Sequence, residues 1–317
     1  MDNLTPTLIG LALSRAGLSR FHPQAPLVLM LSANVPDIDI VTVAGGPLSY
    51  FDHHRGISHS IALAPVMALL PVLLVCAIYR NMRGWKAAWG LALIGVASHL
   101  LLDWTNAYGI RFFAPFSYEW FRLDLTNIVD LWIWLVLGIA WVAPALSKLV
   151  SSEMGATSGS GRAVAWFALS FVLIYDFGRG LAHSRAVETL ESRIYHGGPP
   201  IRAAAFPISF ANPFDWQGWV ERPDFVEHFS MNLRTEFDPG SGTILYKPPP
   251  DAAIQAARQA PPVEKFLQFA QYPLWHVTPL PEPQGAQQVD VRDWRFPFTA
   301  SATVDSLNRI LSSSFHY

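Results

Sequence analysis

Asn34-Val35-Pro36-Asp37-Ile38-Asp39, and further on Phe51-Asp52-His53-His54-Arg55-Gly56-Ile57-Ser58-His59-Ser60, form the stretch that decides the reading of this chain. It gathers Asp37, Asp39, Asp52, His53, His54 and His59 in a sequence where only 15% of residues are charged. An apolar run, residues 57–79, begins inside it. That length matches the hydrocarbon thickness of a bilayer, so the run is expected to span one. Ligand-type side chains beside a membrane carry a desolvation cost unless a cation pairs with them. A divalent metal is the simplest such cation. The stretch therefore predicts a membrane protein with a metal site at the membrane surface.

The rest of the chain extends this reading. Of its 317 residues 51% are hydrophobic, 12 are Trp, and the mean hydropathy is +0.25, which points away from an ordinary soluble enzyme. A net charge of −2 gives no electrostatic case for nucleic acid. Cys76 is the single cysteine, so no internal disulfide can form. Asp2 stands where a cleaved signal peptide would carry basic residues, and the N-terminus is expected to be retained. Leu4, Leu8, Leu11 and Leu18 recur at helical spacing, predicting a short amphipathic or buried helix over 4–18. With a second apolar piece at 26–33, it would form an interfacial hairpin or one shallow span. Further spans are expected at 85–104, 128–149 and 162–181, the last after a Ser/Gly-rich linker at 151–161. Pro65 and Pro71 inside the first span are tolerated better in membrane helices than in soluble ones.

Basic residues set the orientation. Arg80, Arg83, Lys86, Lys148 and Arg162 fall in loops on one side, against Arg111 and Arg122 on the other. The positive-inside rule puts the first set in the cytoplasm, so the His/Asp stretch and the C-terminal part would face outward. Beyond residue 201 the chain turns rich in Pro, Trp and charge. Period-two alternation at 225–231, 243–246, 273–280 and 289–296 reads as short strands, with a helical interlude at 252–270 broken at Pro261-Pro262. The expected fold is a mainly α-helical multi-pass membrane domain of about four to five helices over 1–183. A linker or helix at 184–200 then leads to a strand-rich α+β extramembrane domain over 201–317.

Four constellations carry chemistry. Pro36 stops the preceding helix and presents Asp37 and Asp39, whose oxygens can bind one divalent cation or bridge two. As an alternative the pair is an Asp-rich turn. His54 and His59 flank Gly56, so a turn entering the helix can fold both imidazoles inward, a donor type that suits zinc. Arg55 between them can grip an anionic oxygen with its planar fork. His99 and Asp103 are four apart and share a helical face, with Ser98 and Thr105 nearby. Topology brings that helix end to the same membrane side as His54 and His59. Asp124 and Asp130 bracket the start of the third span, as ligands, as orienters of a His, or simply as helix caps. His183, His196, His228 and His276 lack ligand spacing and read as structural. Asp176, Arg179 and Arg185 read as a helix-end charge cluster.

At these residues the chain resembles the bacterial membrane-bound metal-dependent hydrolases of the YdjM/YbcI-like family. Their pattern runs from a Thr-His near the N-terminus through Pro-Asp-x-Asp and His-Arg-Gly-x-Thr-His to His-x-x-x-Asp followed by Thr and Gly. The matching residues here are Pro36-Asp37-Ile38-Asp39, His54-Arg55-Gly56-Ile57-Ser58-His59, and His99 to Asp103 followed by Thr105 and Gly109. The resemblance covers the membrane portion, and Ala211-Asn212-Pro213-Phe214-Asp215-Trp216 looks like the extracellular domain of longer members. It implies a helical hydrolase distantly similar to zinc-dependent phospholipase C, with phosphate esters as substrate class. Two departures stand out. Thr5 is followed by Pro6 instead of His, and Ser58 replaces Thr while keeping the hydroxyl.

The combined reading is a metal-dependent hydrolase of the bacterial inner membrane. A divalent metal, zinc by expectation, would be held by His54, His59, His99, Asp103 and Asp37. Asp37 or Asp39 would act as general base, and Arg55 would stabilise developing negative charge. Ser58, Thr105, Asp124 and Asp130 would support the ligands. The bilayer is the expected partner, and a lipid or lipid-linked molecule the expected substrate. Two rivals are a non-catalytic metal-stabilised scaffold, suggested by Pro6, and an ion or solute transporter. The polar residues cluster at span ends and no paired broken helices recur, which argues against the transporter.

Overall fold

The computed structural model describes residues 2–154, 161–249 and 251–316. Helices α1 (Leu4–Arg15) and α2 (Ala25–Ser32) pack with their backbones almost touching. A Cβ added at Gly10 would lie 2.6 Å from the Leu29 carbonyl oxygen. Helix α5 (Trp85–Thr105) meets α2 through Gly95, where a Cβ would collide with Ser32 Oγ. Lipid tails are as apolar as Leu, so helices inside a bilayer gain most from such close, small-residue contacts. Gly95, His99 and Asp103 follow one another at four-residue steps, and the close approach at Gly95 fixes the face that carries the other two.

After α2 the chain bends by 41° into a 3-10 helix, Val35–Gly45, with Pro36 near its start. Helix α3 (Pro47–His53) and a 3-10 turn, Ile57–His59, follow, and then an 88° bend leads into α4 (Ala64–Tyr79). The span expected from residue 57 therefore starts as a helix only at Ala64. Pro65 is the reason: its ring cannot lie against a preceding helical turn, but suits a first one. Ser60 Oγ accepts from the Leu63 amide at 3.2 Å and closes the corner.

Helices α6 (Leu131–Met154) and α7 (Arg162–Glu191) complete the helical half. Among the described residues three helices, α5, α6 and α7, are long and apolar enough to cross a membrane, or up to five spans if each bent pair counts as one. The Ser/Gly-rich linker expected at 151–161 is partly the end of α6, and residues 155–160 lie outside the described residues. The fourth span runs past 181 to Glu191, because Ala186 and Leu190 bury against Trp216 and Phe229 of the C-terminal part.

The C-terminal part holds two four-stranded antiparallel sheets. Strands β1 (Arg202–Pro207), β2 (Asp215–Glu221), β3 (Phe225–Asn232) and β4 (Thr243–Tyr246) pair in sequence order. So do β5 (Leu274–Pro279), β6 (Gln287–Arg292), β7 (Thr299–Val304) and β8 (Ile310–His316). Helices α8 (Ala252–Ala257) and α9 (Pro261–Phe269) cover the second sheet. The prolines at 261–262 open α9 instead of breaking a longer helix in its middle, as their missing N–H and fixed φ favour. The core under α9 continues into the helical half: Phe51, Tyr108 and Trp120 are buried with Phe266, Phe269, Phe298 and Phe315. Phe51 meets Phe315 at 4.5 Å and Phe269 at 5.4 Å between ring centroids. The second sheet is thus docked directly behind the His-rich segment.

Candidate metal centre

His59 and His99 are fully buried and face each other, Nε2 to Nε2, at 3.2 Å. His99 Nδ1 lies 2.7 Å from the Ala33 carbonyl oxygen, which can only accept. Nδ1 therefore carries the proton, and in the neutral ring Nε2 is a bare lone pair. His59 Nδ1 lies 3.3 Å from Asp39 Oδ2 and 2.9 Å from Ser58 Oγ, while Ser58 Oγ donates to Asp39 Oδ2 at 3.2 Å. A carboxylate behind one nitrogen and a bare lone pair on the other is the arrangement metal-binding imidazoles use.

Two carboxylates close on the same point. Asp37 Oδ1 is 3.3 Å from His59 Nε2 and 3.6 Å from His99 Nε2. Asp103 Oδ2 is 3.5 Å and 3.2 Å from the same atoms. Four electron-pair donors in a buried place repel one another unless a cation or a proton sits among them. Asp37 Oδ2 also has no hydrogen-bond partner. Imidazole nitrogens with carboxylate oxygens suit a zinc-like ion, so the residues present fit a metal.

His54 is placed slightly apart. Its Nδ1 contacts Asp39 Oδ1 at 3.1 Å, and its ring stacks on Tyr50 at 4.7 Å. Ligand atoms of Asp37, His59 and His99 lie within 4.8 Å of one another, and so do those of Asp37, Asp39 and His54. Of the residues expected around one ion, Asp37 falls in both groups, His59 and His99 in one and His54 in the other, while Asp103, close to both buried imidazoles, belongs to neither.

Several residues stand elsewhere than expected. Arg55 is 2% exposed, and its guanidinium is already engaged: Nη2 with Asp103 Oδ1 at 3.0 Å, Nη1 with Asn106 Oδ1 and the Gly109 carbonyl. It lies over the Tyr108 ring, and its backbone N–H donates to Asp39 Oδ2 at 2.9 Å from a left-handed φ of 54°. It orders the carboxylates rather than pointing at open space. Thr105 Oγ1 donates to the Leu102 carbonyl within its own helix. Asp130 Oδ1 caps α6 by accepting from the Trp132 and Ile133 amides, and Oδ2 accepts from Tyr175 at 2.8 Å. Asp124 accepts from Gln271 at 3.2 Å, and burial pushes its carboxyl up to about 6. Among the described residues neither Asp124 nor Asp130 contacts His54, His59 or His99; a buried N-terminal cap and an interdomain contact draw them away.

Asn106 was not legible as a site residue. Fully buried after α5, it accepts from Arg55 and from the Tyr108 amide and donates to Asp103 Oδ1 at 3.2 Å. A lone Asn after a helix ordinarily signals a cap or turn, and nothing in the local pattern separates this one.

A family model described as YdjM inner membrane protein matches residues 1–186. The uncharacterized protein YfhP of Bacillus subtilis (strain 168) is 30% identical over 146 residues, which cover 43% of this chain and 43% of that relative. The chain thus spans less than half the length of the relative it matches. No solved structure matches. With more than half of its residues matched, the chain belongs to the YdjM inner membrane protein family.

Proposed function

We propose that this member of the YdjM inner membrane protein family is a membrane-embedded, metal-dependent hydrolase of phosphoesters or related esters at the membrane surface. One observation carries the reading: a carboxylate oxygen of Asp37 and one of Asp103 each lie within 3.6 Å of both facing imidazole nitrogens of His59 and His99. A divalent ion held there supplies Lewis-acid polarisation of an ester oxygen and acidifies water. The chain's own residues do the remaining work. Asp39 orients His59 and His54 through their Nδ1 atoms. Asp37 offers a second oxygen, without a hydrogen-bond partner, to take the proton of an attacking water. Arg55 is a positioning residue, fixing Asp103 from behind.

The test is metal content of the purified, detergent-solubilised chain beside a His59→Ala/His99→Ala double variant, with turnover of bis(p-nitrophenyl) phosphate and a carboxylic ester. Loss of zinc and of turnover together supports the reading; equal zinc in both proteins sinks it. A second reading, a non-catalytic metal-stabilised scaffold, is favoured by Pro6, buried in the first turn of α1 where the family pattern places a His. Full metal content without turnover on either ester would select it.

A further inference from the structure

A cavity of about 600 Å³ opens beside the metal cluster, and Asp39 and Ser58 form part of its wall. The opposite wall comes from the C-terminal part: Lys265 and Gln268 of α9. Arg111 lines it too, although only 2% exposed. Its guanidinium lies 4.4 Å from the Trp120 ring centroid, Nη1 donates to the Asp52 carbonyl at 2.7 Å, and Nε has no hydrogen-bond partner. Among the described residues no carboxylate forms an ion pair with Arg111, and the Asp52 carboxylate is engaged by Lys265 at 3.1 Å. This is the reverse of Arg55, whose charge is answered by Asp103. Asp52 favours the Arg111 charge from beyond ion-pair distance. A buried guanidinium with no carboxylate in contact recovers more of its desolvation cost when an anion enters beside it, and its planar fork fits phosphate.

The rim of the same cavity is polar at His53, Glu119 and Gln268 and apolar on the side of Ile57. Ile57 lines it. Ile40 and Val41, between the lining residues Asp39 and Thr42, are 56% and 66% exposed. Large apolar side chains clustered around a polar cleft in a chain with membrane spans belong against lipid. A headgroup pocket and a lipid-facing rim are therefore continuous.

We propose that this cleft seats the anionic phosphate head of a membrane amphiphile, gripped by Arg111 and by Lys265 of the C-terminal part, with the apolar tail along Ile57 and the exposed face of Val35–Gly45. The inference names a substrate class for the hydrolase reading and rests on it. It also gives helix α9, outside the matched residues 1–186, a role in that site.

The test measures binding without turnover. The detergent-solubilised full chain, stripped with chelator, is titrated calorimetrically with dihexanoyl phosphatidic acid, dihexanoyl phosphatidylcholine and inorganic phosphate. Phosphatidic acid should bind at least about tenfold more tightly than either of the others. Lys265→Gln, at a half-buried position, should weaken it by about tenfold, and Arg111→Gln further. Equal binding of the two lipids, inorganic phosphate binding as tightly as phosphatidic acid, or an unchanged affinity in Lys265→Gln would each overturn the proposal. Selective binding with no hydrolysis by the metal-loaded chain would count against the hydrolase reading alone. Hydrolysis of bis(p-nitrophenyl) phosphate without lipid selectivity would count against the amphiphile alone.

Discussion

Nε2 of His59 and Nε2 of His99 stand 3.2 Å apart although the two residues are 40 positions apart in sequence. Each ring has its Nδ1 tied back, one to Asp39 and Ser58, the other to the Ala33 carbonyl. The facing lone pairs are thus fixed by their surroundings before any cation arrives, which is preorganisation of the kind metal centres use.

Chelation should therefore destabilise the folded chain. An ion present at a hundred times its dissociation constant stabilises the state that binds it by about 3 kcal/mol. Thermal unfolding in detergent, with and without chelator, should show a drop in Tm for the wild type and none for His59→Ala/His99→Ala. The same drop in both proteins would show that the ion sits elsewhere.

Arg55→Gln should be severely destabilising. It leaves Asp103 buried without its 3.0 Å partner, and breaking one side of a buried pair costs about 3–5 kcal/mol. Adding Asp103→Asn should cost much less than the sum of the two single changes, because the two residues act as one unit. Additive losses in a double-mutant cycle would mean that the pair is not coupled.

Gly95→Ala tests the packing that aims His99. The new methyl would meet Ser32, and overpacking a tight contact typically costs about 1–3 kcal/mol. Metal content should fall with stability, since α5 must shift to relieve the clash. Ser32→Gly in the same chain should restore part of both, measured as Tm and bound zinc. No restoration would place the strain at the Leu29 carbonyl instead.

Asp124 should make stability fall as pH rises from about 4 to 6. Burial raises its folded-state pKa from 3.8 to about 6, against the pull of Arg295 and Arg122. The folded chain then keeps a proton that the unfolded chain releases across that window, and the deficit persists at higher pH. The shift corresponds to an effect on the order of 3 kcal/mol. Asp124→Asn keeps a side chain suited to the residue's left-handed φ of 56° and removes the charge. Its Tm should exceed that of the wild type at pH 7 and match it near pH 4. A constant difference across the range would assign the effect to something other than titration.

Much of the site was readable because its residues recur at local spacing. His99 and Asp103 share a face by helical period alone, and Pro36 necessarily interrupts α2 before Asp37 and Asp39. What local spacing could not show was what each group would meet. Arg55 looked free to grip an anion until Asp103 and Asn106, brought in from α5 and its following loop, engaged it. Arg111 looked like an ordinary loop cation until burial over Trp120 left it with no carboxylate at ion-pair distance among the described residues. Asp124 and Asp130 were expected beside the imidazoles, yet Gln271 and the first turn of α6 claimed them.

The sequence by itself determined the helical, lipid-facing half, the strand-rich remainder and the carboxylate and imidazole donors, because apolar period and residue chemistry are properties of a local stretch. The tertiary structure alone decided which donors converge, which arginine forms a carboxylate ion pair and which does not, and that α9 walls the cleft beside them. Those outcomes depend on long-range contacts: Gly95 against Ser32, and Phe51 against the core of the second sheet. No local pattern encodes the partner a buried charge will find, since that partner arrives from a distant part of the chain.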